Sequence, residues 1–458
     1  MSIPDKRTEM LRNGTIKKTL LTLAIPSIIG MVVNGIYNIV DTIFVGRIGT
    51  SAVGAVAVVF PFFMLISSLG IAIGMGSASY ISRSLGRDNK KEAENTAITG
   101  ILLVVGIGIA LMFLGLHYLE DILRLFGATE SILSYGLDYG RVLVIGSPFV
   151  MLKMFFNNVM RAEGSVKASM VALLLGAVLN IVLDPIFIFT FDMGIRGAAV
   201  ATIISQAISV VFQVWYYQSR RSYLQLRLKG YRPNRVIISQ IFIIGLPLFF
   251  TQGLNSGAMA LVNNAASDFG DAAVAAMGIV KRVMSLGLFA LFGYSQAFLP
   301  VAGFNYGAKR YDRLWEAIRF SIKLSTIFTI VISVFIIGLS EQVMSWFSDD
   351  PEVLAIGARA LRAYSIPFPM LGFQLIYFSL FQALGRGVPA GLLSVSRQGL
   401  ILIPAVLFLP LWIGLDGVIL AQPVADGLTI LMTGFLAIRI NKEIKNNIVA
   451  HKEMAAVE

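Results

Sequence analysis

The stretch GIYNIVDTIFVGRIG, Gly35–Gly49, closes an apolar run that begins near Leu20, and it carries an aspartate, Asp41, near its far end. About 20 apolar residues in a row are what a helix needs to cross a hydrocarbon core of about 30 Å. A carboxylate at that depth costs about 2.5–3.5 kcal/mol by insertion scales, so it is a functional group unless it reaches water at the helix end. Composition decides which solvent the run meets. The chain has 458 residues, 56% hydrophobic and 14% charged, against about 25% charged in a soluble domain. Its mean hydropathy is +0.78. Lipid is therefore the solvent.

There are no cysteines, which excludes disulfides and thiolate metal sites. The two histidines, His117 and His451, are not placed as a metal pair. No HExxH, GxSxG or Cys–His nucleophile signature occurs, so no catalytic residue and no enzyme is expected. The N-terminal MSIPDKRTEMLRNGTIKK is polar and basic without a cleavage pattern, so the first apolar segment is expected to remain as a helix.

Outward from that first run, hydropathy predicts twelve spans, at 19–45, 52–81, 94–117, 132–160, 168–191, 197–218, 236–267, 272–303, 315–339, 353–384, 388–413 and 417–438. The fold class is all-α and polytopic. Alternate loops differ in charge. One set, with the N-terminus, Arg83–Glu92, Arg161–Lys167, Arg220–Arg235, Lys309–Arg313, Arg386 and the tail after Arg439, holds 25 of the 37 Lys and Arg. The other set is acidic, with Glu120, Asp121, Asp268, Asp271, Asp349 and Asp350 among its members. Positive loops stay inside, which predicts cytoplasmic N- and C-termini in a cell membrane. The net charge of +11 then expresses orientation and implies no nucleic-acid partner.

The two halves repeat at an offset of 221 residues: Pro26 pairs with Pro247, Asn34 with Asn255, Gly49 with Gly270, Gly86 with Gly307, Arg141 with Arg362 and Pro148 with Pro369. Six spans return the chain to its starting side, so the halves share one orientation and a pseudo-two-fold along the membrane normal. Parallel repeats of this kind are typical of secondary transporters, with the substrate site between the halves. The expected organisation is an N-lobe (1–219), a basic linker (220–235) and a C-lobe with a basic tail (236–458).

Polar groups inside the spans are the candidate site. Asn34, Tyr37 and Asp41 share one face of the first span, and LNIVLDP places Asn180 and Asp184 at i, i+4 on the fifth. Thr202 lies about two turns into the sixth, at a matching depth in the outer half. Two carboxylates, an amide and a hydroxyl suit a proton or a hard cation such as Na⁺, and a carboxyl pair can share a proton and release it when a cation arrives. The competing reading makes Asp41 a helix-end residue beside Arg47 and Asp184 a loop-side acid before Pro185. The repeat weighs against it: Asp41 corresponds to Val262 and Asp184 to Ala405, so the architecture does not require the acids.

Other intramembrane groups are more open. Lys153, Lys281, Arg282 and Arg397 either snorkel, pair with helix ends or serve transport. Asp426 is a second acid able to attract a cation. Asn157 and Asn158 either line a cavity or bond neighbouring helices. Pro26 frees the Thr22 carbonyl about four turns below Asp41 and either permits a hinge or is a static kink, which Pro247 repeats.

At YNIVDTIFVGRIG (Tyr37–Gly49), GSASYISRSLGRDN (Gly76–Asn89), MRAEGSVKASM (Met160–Met170) and LNIVLDPIFIF (Leu179–Phe189) the chain resembles the multidrug and toxic compound extrusion (MATE) transporters, particularly their MepA-like and DinF-like branches. The resemblance covers nearly the whole chain. It implies a V-shaped pair of six-helix lobes and export of amphiphilic, often cationic compounds in exchange for H⁺ or Na⁺, with no other cofactor. The family's N-lobe ion cluster falls on Asp41, Asn180, Asp184 and Thr202, with Tyr37, Tyr139 and Asn157 nearby, and helix-one bending falls on Pro26. The C-lobe glutamate–aspartate pair of the NorM-like branch has no counterpart on the seventh span. The expected function is a multidrug antiporter acting as a monomer on small amphiphiles in the lipid bilayer. The alternative is a lipid or lipid-linked oligosaccharide flippase of the same superfamily, for which Lys281 and Arg397 would be the anion-binding groups.

Overall fold

The computed structural model describes residues 9–219, 221–227 and 231–457. The parts of the basic N-terminus and linker at 1–8, 220 and 228–230 lie outside the described residues. Among the described residues ten helices are long and apolar enough to cross a membrane, and up to twelve spans result when each of two bent helix pairs is taken as one. In chain order they include α1 (Ile16–Gly46), α2 (Thr50–Gly86) and α3 (Lys90–His117), then a short α4 (Leu119–Leu125). The fourth span is the pair α5 (Glu130–Ile145) and α6 (Ser147–Ala162); α7 (Val166–Pro185) and α8 (Gly194–Gln218) end the first half. The second half runs α9 (Arg235–Ser267), α10 (Asp271–Gly307), α11 (Tyr311–Gly338), a short α12 (Ser340–Ser345), and the pair α13 (Pro351–Ser365) and α14 (Phe368–Ala383). It closes with α15 (Gly387–Val395), α16 (Ile403–Ile413) and α17 (Leu415–Val457).

Two spans expected as single helices are broken. The fourth bends by 52° and the tenth by 49°. Pro148 and Pro369 stand just after the breaks, where a missing N–H and a ring against the preceding turn prevent an α-helix from running through. Their places correspond at the 221-residue offset, so the lobes share the bend as well as the span order. The last helix also outruns its expected end at 438 and continues through the basic tail. A π turn, Ile186–Thr190, follows Pro185, and a second, Ser396–Leu402, joins α15 to α16.

Helices in lipid associate through close packing more than through apolar burial. Across the lobes, α1 lies along α10 and α2 along α9. At the basic-loop end the approach is backbone to backbone. A Cβ on Gly76 would sit 2.2 Å from the Ile241 carbonyl oxygen, and one on Gly307 would sit 2.1 Å from that of Arg83. One buried core there mixes both lobes, joining Leu20, Ile81 and Phe155 to Phe298, Phe304 and Tyr377. Toward the acidic-loop end each lobe keeps a separate core, around Val59 and Leu143 in one and Met277 and Leu361 in the other. The lobes therefore join at the basic end and part toward the acidic end.

The basic end is also tied by charge. Arg12 pairs with Asp88, Arg310 donates to the Arg12 carbonyl, Arg313 donates to the Gly14 carbonyl at 2.6 Å, and Arg386 pairs with Glu443. The linker folds back on the first half, with the Gln225 amide donating to Glu94 at 2.9 Å.

Candidate functional site

Four helices of the first half bring the site together. Asp41 lies about 7 Å before the end of α1 at a rise of about 1.5 Å per residue, and Asp184 is the penultimate residue of α7. The two carboxyl groups lie within hydrogen-bonding reach of each other. Asn180, one turn before Asp184, donates its amide to Asp184 Oδ1 at 3.0 Å and to Thr202 Oγ1 of α8 at 3.3 Å. Tyr37 and Tyr139, from α1 and α5, stand close enough to feel both carboxylates. Asp184 is 0% exposed and Asn180 2%.

The cluster joins two carboxyl groups with three acceptors that lack donors. Asp41 Oδ1, Asn180 Oδ1 and Asp184 Oδ2 are all buried and accept no hydrogen bond. Buried acceptors without partners are costly, and native proteins rarely keep them without a use. All three are oxygens, the ligand type that protons and hard cations take. Among the described residues no group of three or more His, Cys, Asp or Glu is poised for a metal ion. Arg47 forms no ion pair with Asp41 among the described residues. The helix-end reading thus has no partner for its acid.

Beside the cluster is a crevice, holding about one water's volume, lined by Asn34, Tyr37, Lys153, Asn180 and Thr202. Lys153 of α6 is buried and its Nζ lies 3.8 Å from the point where a Cβ on Gly176 would stand. Ser205 and Gln206 also line the crevice and each holds a buried oxygen without a partner. Sequence reasoning passed over these two. Their signal was the i, i+3, i+4 spacing from Thr202, which places all three on one face of α8.

Two expected residues lie elsewhere. Asn157 is clasped to α7, accepting from Ser169 Oγ at 2.9 Å and donating to the Ser169 carbonyl at 3.4 Å. Asp426 is in the second half, where Arg397 Nε donates to it at 2.7 Å and Gln422 Nε2 at 2.9 Å.

The MatE family model matches twice, at residues 26–186 and 247–407, two stretches that begin 221 residues apart. The chain belongs to the MATE family. It is a multi-pass membrane transporter and not an enzyme. It is similar to the multidrug export protein MepA of Staphylococcus aureus (strain MSSA476), 27% identical over 93% of this chain and 94% of that protein. A multidrug resistance MATE transporter of the MOP superfamily in its outward-facing conformation superposes with a TM-score of 0.91 and 28% identity, over 96% of this chain and 99% of that one. A MATE structure in a bent conformation gives the same score and identity over 96% and 98%. This MATE protein therefore shares their overall fold along nearly its whole length.

Proposed function

We propose that this MATE transporter is a secondary active multidrug antiporter. It exports amphiphilic, cationic organic compounds in exchange for H⁺ or Na⁺ carried at Asp41, Asn180, Asp184 and Thr202. The observation that carries the reading is the set of three buried, unpartnered oxygens around two adjoining carboxyl groups. Such a site exists in two states of different charge, and the lobes can respond to which one is present. With the lobes parted at the acidic end, an ion enters and satisfies the orphaned oxygens. The neutralised site loses its attraction for a cationic substrate, which leaves. Rocking of the lobes, with bending of α1 at Pro26, then exposes the site at the other end, where ion loss restores the charge and captures substrate.

The excess of Lys and Arg at one end supports an orientation in the cell membrane with that end and both termini on the cytoplasmic side. A membrane potential adds about 2.3 kcal/mol per charge per 100 mV to any exchange that moves net charge. The buried acids favour this reading over a flippase, whose diphosphate cargo would call for several unpaired cations. The test is efflux of a fluorescent lipophilic cation from proteoliposomes under an imposed pH gradient and then an imposed Na⁺ gradient. Movement driven by one of them is expected and identifies the coupling ion. Movement under neither overturns the antiport reading.

A further inference from the structure

One cavity, lined mostly by the second half, is much larger than the crevice beside the acid cluster, and the repeat explains why. At the 221-residue spacing Asn34, Tyr37, Asp41, Lys153 and Gly176 correspond to Asn255, Ala258, Val262, Gln374 and Arg397. All five of the latter line one cavity of about 430 Å³, bounded chiefly by α9, α10, α14, α17 and the second π turn, with Ser68 and Ile71 of α2 at its edge. Replacing a tyrosine by Ala258 and an aspartate by Val262 empties the position that the ion cluster fills in the first half. It also removes the acids. The volume falls in the range of sites that hold drug-sized ligands, about 300–1,000 Å³.

The charges left in this cavity do not balance. Lys281, Arg397 and Asp426 are its only Lys, Arg, Asp or Glu. Arg397 and Asp426 are spent on each other at 2.7 Å, with Gln422 on the same carboxylate oxygen. Lys281 has no carboxylate within 4.0 Å among the described residues. The lining therefore carries one unmatched positive charge over an apolar wall built by Met277, Met284, Phe292 and Phe368. Gln374, which is 5% exposed, keeps a buried Oε1 without a donor.

We infer that this C-lobe cavity binds amphiphiles bearing a single anionic group, such as a carboxylate. The anion sits on the Lys281 ammonium, an N–H or O–H of the ligand donates to Gln374, and the ring system lies against the Met and Phe wall. A charge-assisted contact is stronger than a neutral one; Lys281 is exposed to the cavity, and the isostere lacking the charge forgoes that contact. The ligand is distinct from the cationic cargo of the transport reading, so the binding preference stands or falls alone.

Dansylglycine and its neutral analogue dansylglycinamide, which share ring system and N–H, are titrated by dansyl fluorescence against the purified full-length protein. The wild type is expected to bind the acid at least about tenfold more tightly than the amide. Lys281→Met should bring the two affinities together, and Lys281→Arg should preserve most of the preference. Ala258→Tyr, which returns the first-half side chain to the cavity, should weaken both ligands while the protein stays monodisperse. Asp41→Asn should leave the preference intact, so failed ion coupling and failed anion binding give different results. Equal affinities in the wild type overturn the inference. So does a preference that survives Lys281→Met, or one that disappears with Asp41→Asn.

Discussion

Asp41→Asn isolates the charge at the coupling site with little change of shape. The asparagine amide can donate to Asp184 Oδ2, one of the orphaned oxygens, while its carbonyl oxygen stands where Asp41 Oδ1 stood. The substitution therefore imitates the ion-loaded cluster and holds it there. For one-for-one exchange, a gradient of one pH unit supplies about 1.4 kcal/mol and supports about tenfold accumulation of substrate. A proteoliposome assay should show about that ratio for the wild type and a ratio near one for Asp41→Asn, at equal reconstitution. If Na⁺ proves to be the driver, a tenfold Na⁺ gradient replaces the pH step and the same ratios apply. Removing one of two adjoining carboxyls relieves repulsion, so the thermal midpoint in detergent should not fall. Arg47→Gln serves as the control for the helix-end reading and should transport as the wild type does. Undiminished accumulation by Asp41→Asn, or collapse with Arg47→Gln, refutes the assignment of coupling to this cluster.

Further outcomes follow from single contacts. Thr202→Val keeps the side-chain shape but removes the hydroxyl 3.3 Å from Asn180; at about 0.5–1.5 kcal/mol for a hydrogen bond, the half-saturating concentration of the driving ion should rise about two- to tenfold. Asn157→Ala breaks the clasp to Ser169 and should lower the thermal midpoint without altering ion dependence; a changed ion dependence would return Asn157 to the site. Gly76→Val drives side-chain atoms into the Ile241 carbonyl and should widen the basic end. The absence of native cysteines lets that be measured by spin-label distances between introduced cysteine pairs, and an unchanged distribution would show that the lobes do not depend on this contact.

Much of the fold was legible because the bilayer imposes simple rules. Span length, loop charge and the offset pairs each follow from one physical constraint, and twelve helical spans came out near their expected places. The breaks in the fourth and tenth spans were not read, although Pro148 and Pro369 had been paired. A proline in lipid is compatible with a shallow kink or a full break, and only the neighbouring helices decide between them. In the site, Asn180, Asp184 and Thr202 met as their helical spacing and depth required. Ser205 and Gln206 went unnoticed because small polar side chains in a membrane helix usually bond to nearby backbone or a neighbouring helix. Only the positions of surrounding atoms show that theirs are unpartnered.

The C-lobe cavity was illegible for a different reason: it is made by what is missing. Ala258 and Val262 are unremarkable apolar residues in an apolar helix. They become informative only when set against Tyr37 and Asp41 at the same pseudo-symmetric depth. A duplicated bundle keeps the positions that packing demands, such as Pro26 with Pro247 and Gly86 with Gly307, in both copies. It leaves the positions that face the interior space free to diverge. Here one copy fills that space with acids and the other empties it around Lys281. A coupling site has to be compact so that one ion can satisfy every oxygen at once. A cavity for a drug-sized amphiphile has to be roomy, with an apolar wall. A single lobe would serve these two needs poorly together, and the divergence of the repeats gives each need its own lobe.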